Sequence, residues 1–186
     1  FQKIVFNTPD ALTVAVAEMT IALILSLTRR VVSADKAVRE GEWNRKYEDL
    51  IGFELKDRII GIIGMGRIGE AVTRRLIPFG VRILYFDIIR KNALERELNI
   101  EFAPIDEIIR NSDLITLHIP ATPRTRHLIG VKEFEKMKKG TFIINTARGS
   151  VIDQRALLES LDSGKISGAA LDVFENEPIS PDNPLT

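Results

Sequence analysis

The stretch Arg58-Ile59-Ile60-Gly61-Ile62-Ile63-Gly64-Met65-Gly66-Arg67-Ile68-Gly69 decides the fold. An apolar run stops at a three-glycine turn, and a helical pattern with Ile68, Ala71, Val72 and Leu76 on one face follows it. The expected local structure is a buried strand feeding a helix. Gly64 would make the tight turn, Gly66 would let backbone N–H groups approach a pyrophosphate, and Gly69 would let the helix sit close to its strand. Unpaired N–H groups and roughly half a positive charge at the helix N-terminus favour an anion there.

Such glycine spacing is weak evidence by itself, because glycines also mark ordinary turns, so the flanking sequence has to agree. A second apolar run, residues 81–86, ends in Asp87, eighteen residues past Gly69. A carboxylate at that place accepts hydrogen bonds from the adenosine ribose of a dinucleotide. It would also oppose a 2'-phosphate: at about 4 Å and an effective dielectric near 20, a like-charge pair is worth about 4 kcal/mol. NAD is therefore expected over NADP, although Arg90 and Lys91 follow directly and would weaken that preference if free to reach a phosphate.

The 186 residues, 45% hydrophobic and 28% charged, suffice for one sizeable core, so one domain is the default. The 26 basic and 26 acidic residues cancel, which leaves no global field to attract nucleic acid or an anionic membrane. The absence of cysteine excludes disulfides, thiolate metal sites and cysteine nucleophiles. The two histidines, His118 and His127, lack a helical i, i+4 spacing, and no metal site is expected. Residues 11–27 are apolar but interrupted by Thr13, Glu18, Thr20 and Ser26, and fall short of the roughly 20 residues that a membrane span needs. No secretory signal pattern opens the chain, and a cytoplasmic protein is the expectation.

Residues 3–6 are a short strand candidate, with Thr8 as cap and Pro9 in the first turn of a long helix over 10–30. The apolar positions of that helix go most of the way round it: Leu12, Val16, Met19, Leu23 and Leu27 on one side, Val14, Ile21 and Leu25 on another. A helix with so little polar face must be covered on nearly all sides, and a partner subunit is one way to cover it. Residues 33–55 turn polar around the only tryptophan, Trp43, which is either a local hydrophobic plug or an interface anchor. Beyond the glycine turn, strands at 81–86, 101–103, 114–119, 141–146 and 167–173 alternate with helices at 92–99, 105–110, 132–139 and 154–163. That alternation calls for a parallel sheet covered on both faces, a doubly wound α/β core over 58–174. Its ligand crevice lies at the C-terminal ends of the strands.

Polar residues recur at those ends. Asp87 closes the second strand, and His118 the fourth, with Pro120 just beyond. Thr146-Ala147-Arg148-Gly149 follows the fifth strand, and Asp172 opens the segment after the sixth. Arg148 is suited to hold a carboxylate with a bidentate pair, or else is a surface arginine in a turn. Asp172 offers an acceptor for a nicotinamide carboxamide, or else caps a turn. Glu177, taken alone, is a loop charge.

The motifs Gly-Met-Gly-Arg-Ile-Gly (64–69), Leu117-His118-Ile119-Pro120, Asn145-Thr146-Ala147-Arg148-Gly149 and Gly168-Ala169-Ala170-Leu171-Asp172-Val173-Phe174-Glu175-Asn176-Glu177-Pro178 together resemble the NAD-dependent D-2-hydroxyacid dehydrogenases. That family includes D-3-phosphoglycerate dehydrogenases, glyoxylate and hydroxypyruvate reductases and D-lactate dehydrogenases. The resemblance implies a Rossmann-type NAD-binding domain spanning the chain, with Arg148 as the arginine for substrate carboxylate and carbonyl. It makes Glu177 the acid that partners a catalytic histidine. Arg67 and Ile68 would lie beside the pyrophosphate, His118 and Pro120 on the cofactor side, Thr146 and Ala147 along the nicotinamide, and Asp172 against its carboxamide. Residues 8–55, including Trp43, would be a homodimer arm. The family's catalytic histidine follows the Glu-Pro segment, and neither His118 nor His127 matches it. Its substrate domain, built from both chain ends, is likewise not among these 186 residues. The expectation is a cofactor domain that binds NAD without turnover; the alternative is a non-catalytic NAD(H) sensor or corepressor-like module.

Overall fold

The computed structural model describes residues 10–186; the strand expected at 3–6 and the helix start at Thr8 and Pro9 lie outside them. Six strands, β1 (Ile59–Ile63), β2 (Arg82–Phe86), β3 (Glu101–Phe102), β4 (Leu114–Leu117), β5 (Thr141–Asn145) and β6 (Ile166–Leu171), form one sheet in the order β3-β2-β1-β4-β5-β6. Every pairing is parallel. The first strand, β1, lies at the centre of the sheet; the chain winds out from it to β3, then returns to the other side of β1 as β4. The order reverses between β1 and β4, and ligands bind at such a point, just outside the strand C-termini.

Side-chain alternation divides the core between the two faces of the sheet. Ile60 and Ile62 of β1, Leu114 of β4 and Ile144 of β5 face a cluster with Ala17, Ile24, Val72 and Leu76, under α1 (Thr13–Thr28) and α3 (Arg67–Leu76). Ile63, Ile115, Leu117 and Ile143 face the opposite cluster, with Ile109, Phe134 and Leu157. These come from α5 (Ile105–Asn111), α6 (Val131–Lys136) and α7 (Gln154–Asp162). The remaining helix of the core, α4 (Asn92–Leu98), joins β2 to β3. The doubly wound fold is as expected, with strand ends a residue or two earlier at β4, β5 and β6.

The N-terminal part departs from expectation. The helix expected over 10–30 is shorter and is followed by a second one, α2 (Val31–Arg39), because Arg30 takes a left-handed conformation with φ of 53°. The chain then makes a 3-10 turn at Trp43–Tyr47. Only Ala17, Thr20, Ile24 and Thr28, spaced three and four apart, are buried along α1. Leu12, Val14 and Met19 stay 68%, 55% and 45% exposed, so the single chain leaves one side of the helix's N-terminal half open, whereas residues 23–28 are all buried or half-buried. No described helix is long and apolar enough to cross a membrane.

Candidate cofactor and substrate site

The glycine turn after β1 has the geometry that the spacing implied. Gly64 has φ of 101°, a conformation that L side chains avoid, and a Cβ there would lie 2.5 Å from the His118 carbonyl oxygen. A Cβ on Gly69 would collide with the Gly64 carbonyl oxygen. Gly66 differs: a Cβ there would meet nothing within 4 Å. The fold itself does not need that glycine, so its missing side chain keeps open the space before the first turn of α3. Among the described residues no side chain caps the α3 N-terminus, and its leading N–H groups are left for a ligand. An open cradle with uncapped donors fits a pyrophosphate.

Asp87 does more than the sequence suggested. Its Oδ2 accepts from the Met65 N–H at 2.8 Å and its Oδ1 from the Ile89 N–H at 3.1 Å, so the carboxylate ties the turn to the end of β2. Each oxygen retains a lone pair for a ribose hydroxyl. Arg90 is already committed: its Nε and Nη2 donate to Glu95 at 2.9 and 2.8 Å. Arg90 and Tyr85 together hold the Glu95 carboxyl down at about 2. Arg90 is thus held by Glu95, while the Lys91 side chain has no carboxylate partner among the described residues.

A cavity of about 450 Å³ opens here, lined by Gly64, Gly66, Asp87, His118 and Pro120 and walled by Ile88, Ile105, Ile119 and Leu128. Its apolar walls suit a flat base. Ile88, 90% exposed, stands at the mouth; its only sequence signal is an isoleucine just past a strand end. Arg67 begins α3, but its side chain turns to Asp10, Nε to Oδ1 2.8 Å, and Ile68 is half-buried in the core. His118 is half-buried at the cavity wall, with Nε2 3.0 Å from the Thr116 hydroxyl and Nδ1 shielded from solvent and without a partner among the described residues. Burial pushes its imidazole down to about 4, so it is neutral at pH 7.

Thr146, Ala147, Arg148 and Asp172 lie outside this cavity and form a second group beyond β5 and β6. Asn145, 1% exposed, shapes it: its Oδ1 accepts from the Ala147 N–H and its Nδ2 donates to the Arg148 carbonyl, both at 3.0 Å. Asn145 stands within the motif, but nothing in its local sequence marks this role. Gly149 abuts the backbone of Phe174 and Glu175, where any Cβ would collide, so this loop and the segment after Asp172 are in close contact. Glu175 accepts from Arg126 and meets His127 Nε2 at 2.7 Å, which fastens the segment from the other side. Glu177 is exposed and accepts from the Phe174 N–H at 2.9 Å. The Arg148 guanidinium is exposed, donates to the Ala147 carbonyl at 2.7 Å, and pairs with no carboxylate among the described residues.

An all-parallel doubly wound sheet, a glycine turn before an uncapped helix and an aspartate closing β2 define a Rossmann-type dinucleotide-binding domain. The chain belongs to a particular family of these: residues 21–186 match the model of the D-isomer specific 2-hydroxyacid dehydrogenase NAD binding domain. It is 47% identical over 183 residues to the glyoxylate reductase of Korarchaeum cryptofilum, covering 97% of this chain and 55% of that protein. For the glyoxylate reductase of Thermofilum pendens the figures are 49% over 185 residues, 98% and 55%. Among solved structures, the glyoxylate reductase from Paecilomyes thermophila aligns with a TM-score of 0.85 at 38% identity, covering 94% of this chain and 52% of that one. The D-lactate dehydrogenase from Aquifex aeolicus, complexed with NAD and lactic acid, aligns at 0.83 and 37%, covering 87% and 48%. The chain thus spans about half the length of the relatives it matches.

Two outcomes are expected from this geometry. Gly66→Ala should leave the unfolding midpoint nearly unchanged while weakening NADH binding by about tenfold or more, since the added methyl occupies the cradle and not the core; fluorescence titration beside thermal unfolding checks it, and undiminished affinity would count against the cradle. His118 gives a pH effect. The free imidazole titrates near 6.5 and the folded one at about 4. Between those values the unfolded chain binds more protons, so this contribution is complete above about pH 6.5 and is lost as pH falls toward 4. The unfolding midpoint should therefore drop more steeply from pH 7 to 5 than that of His118→Asn; parallel curves would refute a neutral buried imidazole.

Proposed function

We propose that the full-length protein carrying this domain is an oxidoreductase acting on a small 2-hydroxy or 2-oxo acid, with glyoxylate the first substrate to test. The observation that carries this reading is Arg148: an exposed guanidinium without a carboxylate partner, on a loop locked by Asn145 beyond the strand ends. A planar fork of donors there can take a substrate carboxylate bidentately and polarise the adjacent carbonyl. NAD(H), when bound, supplies or accepts the hydride at C2 of the acid. Thr146, Ala147 and Asp172 would line the nicotinamide, while the α3 N-terminus with Gly66, Arg67 and Ile68 would take the pyrophosphate. Asp87 would take the adenosine ribose, and His118 and Pro120 would bound its pocket. Glu177, with one oxygen on the Phe174 N–H, keeps the other for an imidazolium and would raise the pKa of a histidine placed beside it. The reductase and dehydrogenase names of the relatives favour this reading over a sensor.

The test is turnover of glyoxylate, hydroxypyruvate and pyruvate by the full-length protein. Arg148→Lys keeps the charge but loses the fork, and should lower kcat/KM by about 100-fold while NADH affinity stays within about twofold. Glu177→Gln should move the reduction pH profile to lower pH. Full activity in the lysine variant would refute the assignment.

The same proposal makes the protein a cytoplasmic homodimer joined through residues 8–55, the location checked by cell fractionation. Trp43, Tyr47 and Ile51 are 58%, 70% and 66% exposed, and with Leu12 and Val14 they leave much apolar surface for a second copy to cover. Sedimentation of the full-length protein should give a dimer that Trp43→Ala weakens; a monomer that persists at high concentration would rule the arm out.

A further inference from the structure

Thr20 is a polar residue in the middle of an apolar helix, far in sequence from the candidate site residues. In the structure it is fully buried, and its hydroxyl lies 2.9 Å from that of Thr146, which is 7% exposed. The same Thr20 hydroxyl donates to the Val16 carbonyl at 2.8 Å. A threonine hydroxyl has one proton, and that of Thr20 is committed to its own helix. In the contact with Thr146, Thr20 can only accept, so Thr146 must donate. The Thr146 proton then points back to α1, and only lone pairs remain for the crevice.

We propose that Thr20 is a positioning residue that fixes the Thr146 hydroxyl as an acceptor facing the carboxamide edge of the nicotinamide. This rests on the reading that Thr146 lines the nicotinamide. An acceptor there takes the carboxamide N–H and turns away its carbonyl, which selects one of the two orientations of that group. Ala147 and Arg148 follow directly in the chain, so the same bond also anchors the start of their loop to α1.

The experiment compares two ligands on the full-length protein: NADH, and ADP-ribose, which shares the adenosine and pyrophosphate but lacks the ring. Thr20→Val removes the hydroxyl at nearly constant volume, and should weaken NADH by about fivefold, the scale of one buried hydrogen bond, with ADP-ribose affinity unchanged. Thr20→Ser should restore NADH affinity to within about twofold. Retained ADP-ribose binding also reports that the variant is folded; should the valine variant not fold, Thr20→Ala removes the same hydroxyl. Equal weakening of both ligands, or of neither, overturns the proposal. Thr146→Val separates the two levels of the argument. If it weakens NADH selectively while the Thr20 variants do not, the proposal alone falls; if it spares both ligands, the nicotinamide placement falls and the proposal with it.

Discussion

The two hydrogen bonds that the Asp87 carboxylate accepts, from the Met65 and Ile89 N–H groups, hold the crevice in shape. They join the turn leaving β1 to the end of β2, at the point where Gly64 carries a positive φ and lies against the His118 carbonyl. Three strand ends are thereby fixed relative to one another, and α3 leaves the turn with its uncapped N-terminus on the open side. The residue that would hold the ribose is thus also the one that builds the pyrophosphate cradle. Loss of its charge would loosen both.

The second half of the site is held by a different device. Beyond β5 and β6 the Asn145 side chain closes the loop, the Thr20–Thr146 hydroxyl pair ties its first residue to α1, and Gly149 receives the backbone after Asp172. Each constraint is a backbone or buried contact, so Arg148 can be exposed and still well placed. The surface ion pairs, many at i, i+4 spacing on exposed helix faces, contribute little by comparison.

Much of this was legible beforehand. The apolar run from Ile59 to Ile63 and the spacing of Gly64, Gly66 and Gly69 are local properties, and local chemistry sets them. The division of residues 10–39 into two helices was not legible: the break depends on a left-handed Arg30, a conformation that no sequence signal at an arginine announces. The commitment of Arg90 to Glu95 and the Asp87 bonds were missed because both are made by side chains whose partners depend on a turn's exact path. Ile88 and Asn145 were in plain view, yet their roles depend on which way the chain runs after its strand.

By itself the sequence determined a parallel doubly wound sheet, a glycine turn before a helix and the family, because strand and helix periods and glycine spacings are written within a few consecutive residues. Only the tertiary structure decided that Thr20 meets Thr146 across 126 positions, that Gly66 is spare for packing while Gly69 is not, and that Arg148 has no carboxylate partner among the described residues. These are relations between segments brought together by the two-sided core, and their distances exist only once the sheet has formed.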